Sequence, residues 1–388
     1  MSFPKLVLKP GRDRALRNRH PWIFSGAVKT RPANTNEGDI VTVTDKDGEI
    51  LGLGHYAPRA ALICRLFTFG KEVPTVDAEF WKGKLRAAYT YRQSILNLEE
   101  NTGYRLIHAE GDNMPGVIID IYGDAASVQL RTTGTAKLID VIAEYLEQEL
   151  KMAHIYCRTE SKEDATGNWI LGGEEKRSFK ENGTSFYVDI AKGQKTGFFL
   201  DQRDNRDLLR QMAKDRKVLN TFSYSGAFSV FALAGGAASV DSVDSSALAT
   251  ELATENVALN FPDTEKHKAI KADAFKFLKE MPENVYDLIV LDPPAFTKHI
   301  STVKKAARGY KEINLKAMQK IAKGGLLFTF SCSQHISADL FRKIVFGAAA
   351  DAGRNVRIVA QLSQSPDHPV SIYHPEGEYL KGLVLHID

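Results

Sequence analysis

The chain has 388 residues, 43% of them hydrophobic and 26% charged, with a formal net charge of +3; at about 150 residues per domain this predicts two or three globular domains and excludes collagen-like, coiled-coil and disordered classes. The longest apolar stretch, Phe228 to Val240, is broken by Ser229, Gly235, Gly236 and Ser239, well short of the roughly 18 to 20 residues a membrane span needs, so neither a transmembrane helix nor a membrane partner is expected. Cys64, Cys157 and Cys332 stand in no paired spacing, and the first residues carry no apolar leader segment; a reducing, cytoplasmic setting without disulfides or a metal site follows.

Residues 1–31 hold eight Lys or Arg against the single acid Asp13. Such a segment is a solvated basic surface or a contact for a polyanion. Short β-rich runs follow, Asp39 to Thr44 and Ile50 to Tyr56, joined by Asp47-Gly48, the signal of a two-residue hairpin. After Pro74 the spacing of Phe80, Trp81, Leu85, Ala88, Ile95 and Leu96 predicts a helix. Strands are expected at 105–109, 116–122 and 126–131, a helix at 136–151, and strands at 155–158 and 184–190, a β-β-α-β-β arrangement. From Asp201 onward strands at 217–220, 239–243, 268–271, 288–291, 326–330, 357–361 and 383–387 alternate with helices. That rhythm predicts an α/β fold with a doubly wound, mostly parallel sheet. The expected domains are 1–73, 74–192 and 193–388.

Open α/β sheets bind ligands beyond the carboxyl ends of their strands, so the residues just past each strand carry the chemistry. The first strand runs into Asn220-Thr-Phe-Ser-Tyr-Ser-Gly226, a turn with one glycine rather than a three-glycine dinucleotide fingerprint, which counts against a nicotinamide oxidoreductase. Asp244 lies 18 positions after Gly226, near the offset of about 20 at which an acid meets ribose hydroxyls; the alternative is that Asp244 or Ser245 caps the next helix. Asp273 carries the same two readings. Asp292 is followed by Pro293-Pro294-Ala295-Phe296, where two prolines end the strand and hold a carboxylate beside an aromatic ring. Cys332, in Phe330-Ser-Cys-Ser, falls on the same rim; an inert buried thiol is the competing reading.

Together, Asn-Thr-Phe-Ser-Tyr-Ser-Gly (220–226), Val-Asp-Ser-Ser (243–246), Asp-Pro-Pro-Ala-Phe (292–296) and Phe-Ser-Cys-Ser (330–333) resemble a class I S-adenosylmethionine-dependent methyltransferase. More narrowly, the chain resembles the bacterial large-subunit ribosomal RNA 5-methylcytosine methyltransferases with an N-terminal PUA domain. The segments 195–206 and Asp-His-Pro-Val (367–370) are similar to further signatures of that family. The resemblance implies a Rossmann-like methyltransferase sheet preceded by a small PUA-like β domain and the α+β insert. It implies S-adenosyl-L-methionine as cofactor, with Phe222, Ser223, Tyr224, Ser225 and Gly226 on its methionine part, Asp244 on its ribose, Asp273 at its adenine, and Gln202, Ser245 and Asp292 also at the cofactor. Asp292 would meet the target base and Cys332 act as the nucleophile. Arg12, Arg14, Arg17, Arg19, Lys195, Arg203 and Phe296 would contact the RNA, and a homodimer is compatible with the family. Many wider 5-methylcytosine enzymes place a second cysteine after the Asp-Pro or Asn-Pro pair; here Pro294 stands there. Asp367 and His368 are candidates for the base that removes the C5 proton. The rivals are methylation of an exocyclic amine or purine nitrogen, which needs no thiol, and a non-catalytic RNA-binding protein, for which the strand-end acids would be superfluous.

Overall fold

The computed structural model describes residues 3–159, 167–173, 176–191, 193, 197–297 and 299–388. The chain divides into two units, one of Met1–Phe179, Val188–Phe199 and Pro366–Gly377 and one of Lys180–Tyr187, Leu200–Ser365 and Glu378–Asp388.

The first unit begins with β1 (Lys5–Leu8), α1 (Arg14–Arg17), β2 (Trp22–Phe24), β3 (Val28–Thr30), β4 (Ile40–Thr44), β5 (Ile50–Tyr56) and β6 (Leu62–Leu66). These strands form a sheet in the order β2-β6-β5-β4-β1-β3 over a core that includes Leu6, Leu8, Val41, Val43 and Ile63. The loop between β4 and β5 spans five residues, not the two expected. Asp45 Oδ1 accepts the backbone N–H groups of Asp47 and Glu49, each at 2.9 Å, and the register slips between Val43 and Thr44. The side chain of Asp45 thus organises a wider turn than the Asp-Gly dipeptide alone predicts.

α2 (Ala78–Ile95) starts where Asp77 accepts the Phe80 N–H at 2.9 Å, and it buries the stripe Trp81, Leu85, Ala88 and Arg92, one face of a 3.6-residue period. A second sheet, in the order β11-β10-β9-β8-β7, consists of β7 (Gly103–His108), β8 (Val117–Tyr122), β9 (Ala125–Leu130), β10 (His154–Thr159) and β11 (Gly167–Leu171). The single helix expected at 136–151 is two, α3 (Thr133–Ala136) and α4 (Ile139–Gln148), because a Thr132–Thr135 capping box starts the first one early. Buried Arg92 donates to Asp112 Oδ2 and to the carbonyls of Arg105 and Asp367, each at 2.8 Å. Arg105 pairs with Asp120 at 2.7 and 2.8 Å.

β12 (Lys176–Glu181) and β13 (Thr184–Asp189) pair as a two-stranded sheet. Asn182 and Gly183 join them in left-handed conformations, φ 45° and 77°, a type I′ turn.

The second unit carries α5 (Arg203–Met212), β14 (Lys217–Thr221), α6 (Ala227–Ala234), β15 (Ser239–Asp244), α7 (Ala247–Asn260), β16 (His267–Lys271), α8 (Ala274–Glu280), β17 (Leu288–Leu291), α9 (Val303–Lys320), β18 (Gly325–Ser331), α10 (Ala338–Ala352), β19 (Val356–Leu362) and β20 (Lys381–Ile387). The seven strands form the doubly wound, mostly parallel sheet expected, in the order β16-β15-β14-β17-β18-β20-β19, with β20 antiparallel to both neighbours. Its central strands are almost wholly apolar, Leu-Ile-Val-Leu in β17 and Leu-Leu-Phe in β18, as burial on both faces requires.

Candidate active site

The crossovers leave β14 in one direction to β15 and β16 and in the other to β17 and β18. The chain therefore reverses its winding beside β14, the place where such sheets hold ligands. The turn that follows β14 winds through Phe222, Tyr224 and Gly226 at φ 56°, 43° and 69°. Ser223 N–H donates to Val243 O at 3.1 Å, Gly226 N–H to Ser223 O at 2.8 Å, and the buried Asn256 amide to Ser225 O at 2.9 Å. A Cβ on Gly226 would lie 2.7 Å from Ala253 Cβ and 2.9 Å from its Cα, so both the backbone angle and the neighbouring α7 require glycine.

Asp244 closes this turn from β15. Its Oδ2 accepts the Tyr224 N–H at 3.0 Å and its Oδ1 the Ser246 N–H at 2.9 Å. The cap of α7 is Ser246, which accepts the Ala249 N–H; neither Asp244 nor the exposed Ser245 plays that part. Asp273 does cap α8, accepting the Lys276 N–H at 2.9 Å. Gln202 is buried, its Oε1 accepting from Asn205 at 2.6 Å.

On the other side of β14, Asp292 follows β17 directly, and the prolines stop the ladder there. Half-buried Cys332, one residue beyond β18, directs its thiol at Pro293 O at 3.9 Å. The Phe296 ring packs, tilted by 36°, with its centroid 4.5 Å from that of Tyr310 and 5.7 Å from that of Phe275. Tyr310 Oη and Ser333 Oγ share a hydrogen bond of 2.9 Å, and burial raises the pKa of the tyrosine. Lys381, which sequence reasoning passed over, faces Ser331 across the β18–β20 ladder. Its ammonium donates to Ser333 O at 2.9 Å and Tyr379 O at 2.7 Å. The signal available was a lone lysine opening the largely apolar strand Lys381–Ile387.

Other expected residues are placed differently. Arg203 is 1% exposed; it starts the buried stripe Arg203, Arg206 and Leu209 of α5. Lys195 lies outside the described residues. Within the first unit, Arg17 is held by Asp13, Asp45 and Glu49 at 2.5, 2.8 and 2.8 Å, which neutralises it. The Arg19 guanidinium sits 5.5 Å from the rings of both Phe69 and Tyr373. Arg12 and Arg14 are exposed, and Arg12 borders a cavity of about 330 Å³ lined also by Leu16, Trp22 and Phe24. Asp367 and His368 are buried; Asp367 accepts the Arg105 N–H at 2.8 Å and contacts His368 Nδ1 at 3.1 Å. Their carboxylate and imidazole serve that internal network.

A family profile described as S-adenosylmethionine-dependent methyltransferase matches residues 135–380, and one described as a PUA-like domain matches residues 6–69. The chain belongs to the S-adenosylmethionine-dependent methyltransferase family. Curated relatives named ribosomal RNA large subunit methyltransferase I are 41% identical in Alteromonas mediterranea, covering 99% of this chain and 98% of that one, and 42% identical in Shewanella denitrificans, covering 99% of both. Two solved structures share the fold across 99% of this chain and 100% of theirs at 22% identity: a putative methyltransferase from Streptococcus mutans, TM-score 0.84, and SMU.776, a putative methyltransferase complexed with SAH, TM-score 0.85.

The residues of this methyltransferase suit its cofactor on one internal observation. Ser223 Oγ is enclosed within the turn after β14 and has no partner among the described residues, an acceptor and donor awaiting a polar ligand. Among the described residues no cluster of metal-ligating side chains occurs, and no helix is long and apolar enough to cross a membrane.

Proposed function

We propose that this methyltransferase modifies C5 of a cytosine in large-subunit ribosomal RNA through a covalent bond between Cys332 and C6 of the base. The observation that carries the reading is the half-exposed Cys332 thiol at the tip of β18, against the backbone that follows Asp292 at the tip of β17. The relatives' name supports ribosomal RNA as substrate. In the same reading the turn at Phe222, Ser223, Tyr224, Ser225 and Gly226 takes the methionine part of the cofactor, Asp244 its ribose and Asp273 its adenine, with Gln202 and Ser245 nearby.

C5 of cytosine is too weak a nucleophile until the ring's conjugation is broken. Addition of the Cys332 thiolate to C6 does this, moving the electron pair toward C5 and N3. A protonated Asp292 would donate to N3, where the charge gathers. Bound S-adenosylmethionine supplies an electrophilic methyl group. C5 takes that methyl group with the displaced pair, and removal of the C5 proton then supplies the C–H bonding pair that re-forms C5=C6 and expels the cysteine. Because C6 is covered in a stacked duplex, the target is a looped or flipped nucleotide.

Methyl transfer from labelled cofactor to RNA, followed by nucleoside analysis, is expected to yield 5-methylcytosine. Cys332→Ala is expected to lose turnover while keeping cofactor affinity, and RNA carrying 5-fluorocytosine to trap a covalent complex through Cys332, since fluorine cannot leave as a proton. Near-normal methylation by folded Cys332→Ala would falsify the mechanism and favour an amine or purine nitrogen as acceptor.

A further inference from the structure

We propose that Lys381 is the counter-ion that holds Cys332 as a thiolate between turnovers, acting as a positioning residue for the nucleophile. The inference rests on the reading of Cys332 as nucleophile. Its ground is geometric. The antiparallel β18–β20 ladder sets Lys381 opposite Ser331, the residue before Cys332, and the ammonium donates at 2.9 Å to the carbonyl of Ser333, the residue after it. Lys381 is only 6% exposed. Its second hydrogen bond is to another neutral carbonyl, Tyr379 O at 2.7 Å, and among the described residues no carboxylate is within ion-pair distance of it. A buried ammonium without an anion is costly, and an ammonium has three donors, two of which are accounted for.

The electrostatics agree. Burial lowers the pKa of Lys381, and Cys332, the largest opposing influence, raises it; Glu378 adds a smaller effect in the same sense. The coupling is reciprocal, so a protonated Lys381 favours the ionised thiol. Two other titratable groups lie on the neighbouring elements. Tyr310, on α9, bonds to Ser333 Oγ and is held neutral by burial, and Asp292 follows β17, the neighbouring strand.

In the proposed step the Cys332 S–H bond releases its proton to solvent and Lys381 remains an ammonium. The sulfur lone pair forms the Sγ–C6 bond and the C5=C6 π pair moves to C5. With that pair C5 takes the methyl group; when the C5–H proton then leaves to a base, the C–H bonding pair forms C5=C6, the Sγ–C6 bond breaks with its pair going to sulfur, and the thiolate reappears near the ammonium.

The test follows alkylation of Cys332 by iodoacetamide against pH, read on its own peptide by mass spectrometry; Cys64 and Cys157 are buried. The wild-type rate is expected to inflect below the value of about 8.5 typical of a free thiol. In Lys381→Met the inflection should rise by about one unit, with roughly tenfold slower alkylation near neutrality, a lowered kcat whose pH profile moves upward in parallel, and unchanged affinity for S-adenosylhomocysteine. Lys381→Arg should keep the wild-type inflection. An unshifted inflection in folded Lys381→Met, or a shift as large in Lys381→Arg, would overturn the inference. Should Lys381→Met not fold, a wild-type inflection at or above that of a free thiol overturns it alone. Alkylation needs no RNA, so these results stand apart from the Cys332→Ala and 5-fluorocytosine outcomes that decide the nucleophile.

Discussion

Asp244 offers one carboxylate both to the turn and to the proposed ligand. Each of its oxygens accepts one backbone N–H, from Tyr224 and from Ser246, and each retains a second lone pair for a ribose hydroxyl. Asp244→Ala is therefore expected to weaken S-adenosylmethionine binding by about 1–3 kcal/mol, roughly 5- to 150-fold, through one lost polar contact. Asp244→Asn should do nearly as badly, because its NH2 must face a backbone donor on one side or the other. Calorimetry with S-adenosylhomocysteine, alongside thermal melts to confirm folding, checks this; wild-type affinity in both variants would remove Asp244 from the ligand site. Asp273 makes the complementary case. Its sequence context predicted either a helix cap or an adenine contact, and the capping bond to Lys276 is present, yet an exposed cap leaves the other carboxylate oxygen accessible, so local pattern could not choose between the two.

Among the elements, β15 and β16 are tied by a buried polar chain. Asn220 donates to Ser229 at 2.9 Å, Ser229 and Ser242 share a bond of 2.6 Å, and Ser242 meets His267 at 2.8 Å. Burial lowers His267 to about 4. Since an unfolded imidazole titrates near 6.5, the unfolded chain takes the proton first as the pH falls. The stability from neutral His267 is complete above about 6.5 and is lost progressively toward pH 4, up to about 3 kcal/mol. Denaturant melts of wild type and His267→Gln at pH 7 and 4.5 should converge at the lower pH; parallel losses would show that His267 titrates alike in the folded and unfolded states. The hairpins illustrate what short-range signals can carry. Asn182-Gly183 forms the two-residue turn its dipeptide specifies, although the charged β12 before it masked the strand. Asp47-Gly48 does not, because Asp45 captures two N–H groups and widens the loop.

For the molecule as a whole, the basic N-terminal segment divides once its partners are in place. Arg12 and Arg14 are exposed, whereas Arg17 is held by three carboxylates. Replacing Arg12 and Arg14 by Ala is expected to flatten the slope of log RNA affinity against log salt by about two, near one unit per lost phosphate contact. Arg17→Ala should leave the slope unchanged, and a drop equal to that of Arg12→Ala would return Arg17 to the RNA track. The same division separates local from long-range information throughout the chain. Strand–helix alternation, the proline stop after Asp292, the glycine at 226 and the rim position of Cys332 were legible because each depends on backbone preference or periodicity within about ten residues. Burial and charge pairing depend instead on which distant segments meet. Only the tertiary structure buried Arg203 and the Asp367–His368 pair, neutralised Arg17, and brought Lys381 to a carbonyl 48 positions earlier in the chain, because an antiparallel ladder, unlike a helix turn, joins residues without regard to their separation in sequence.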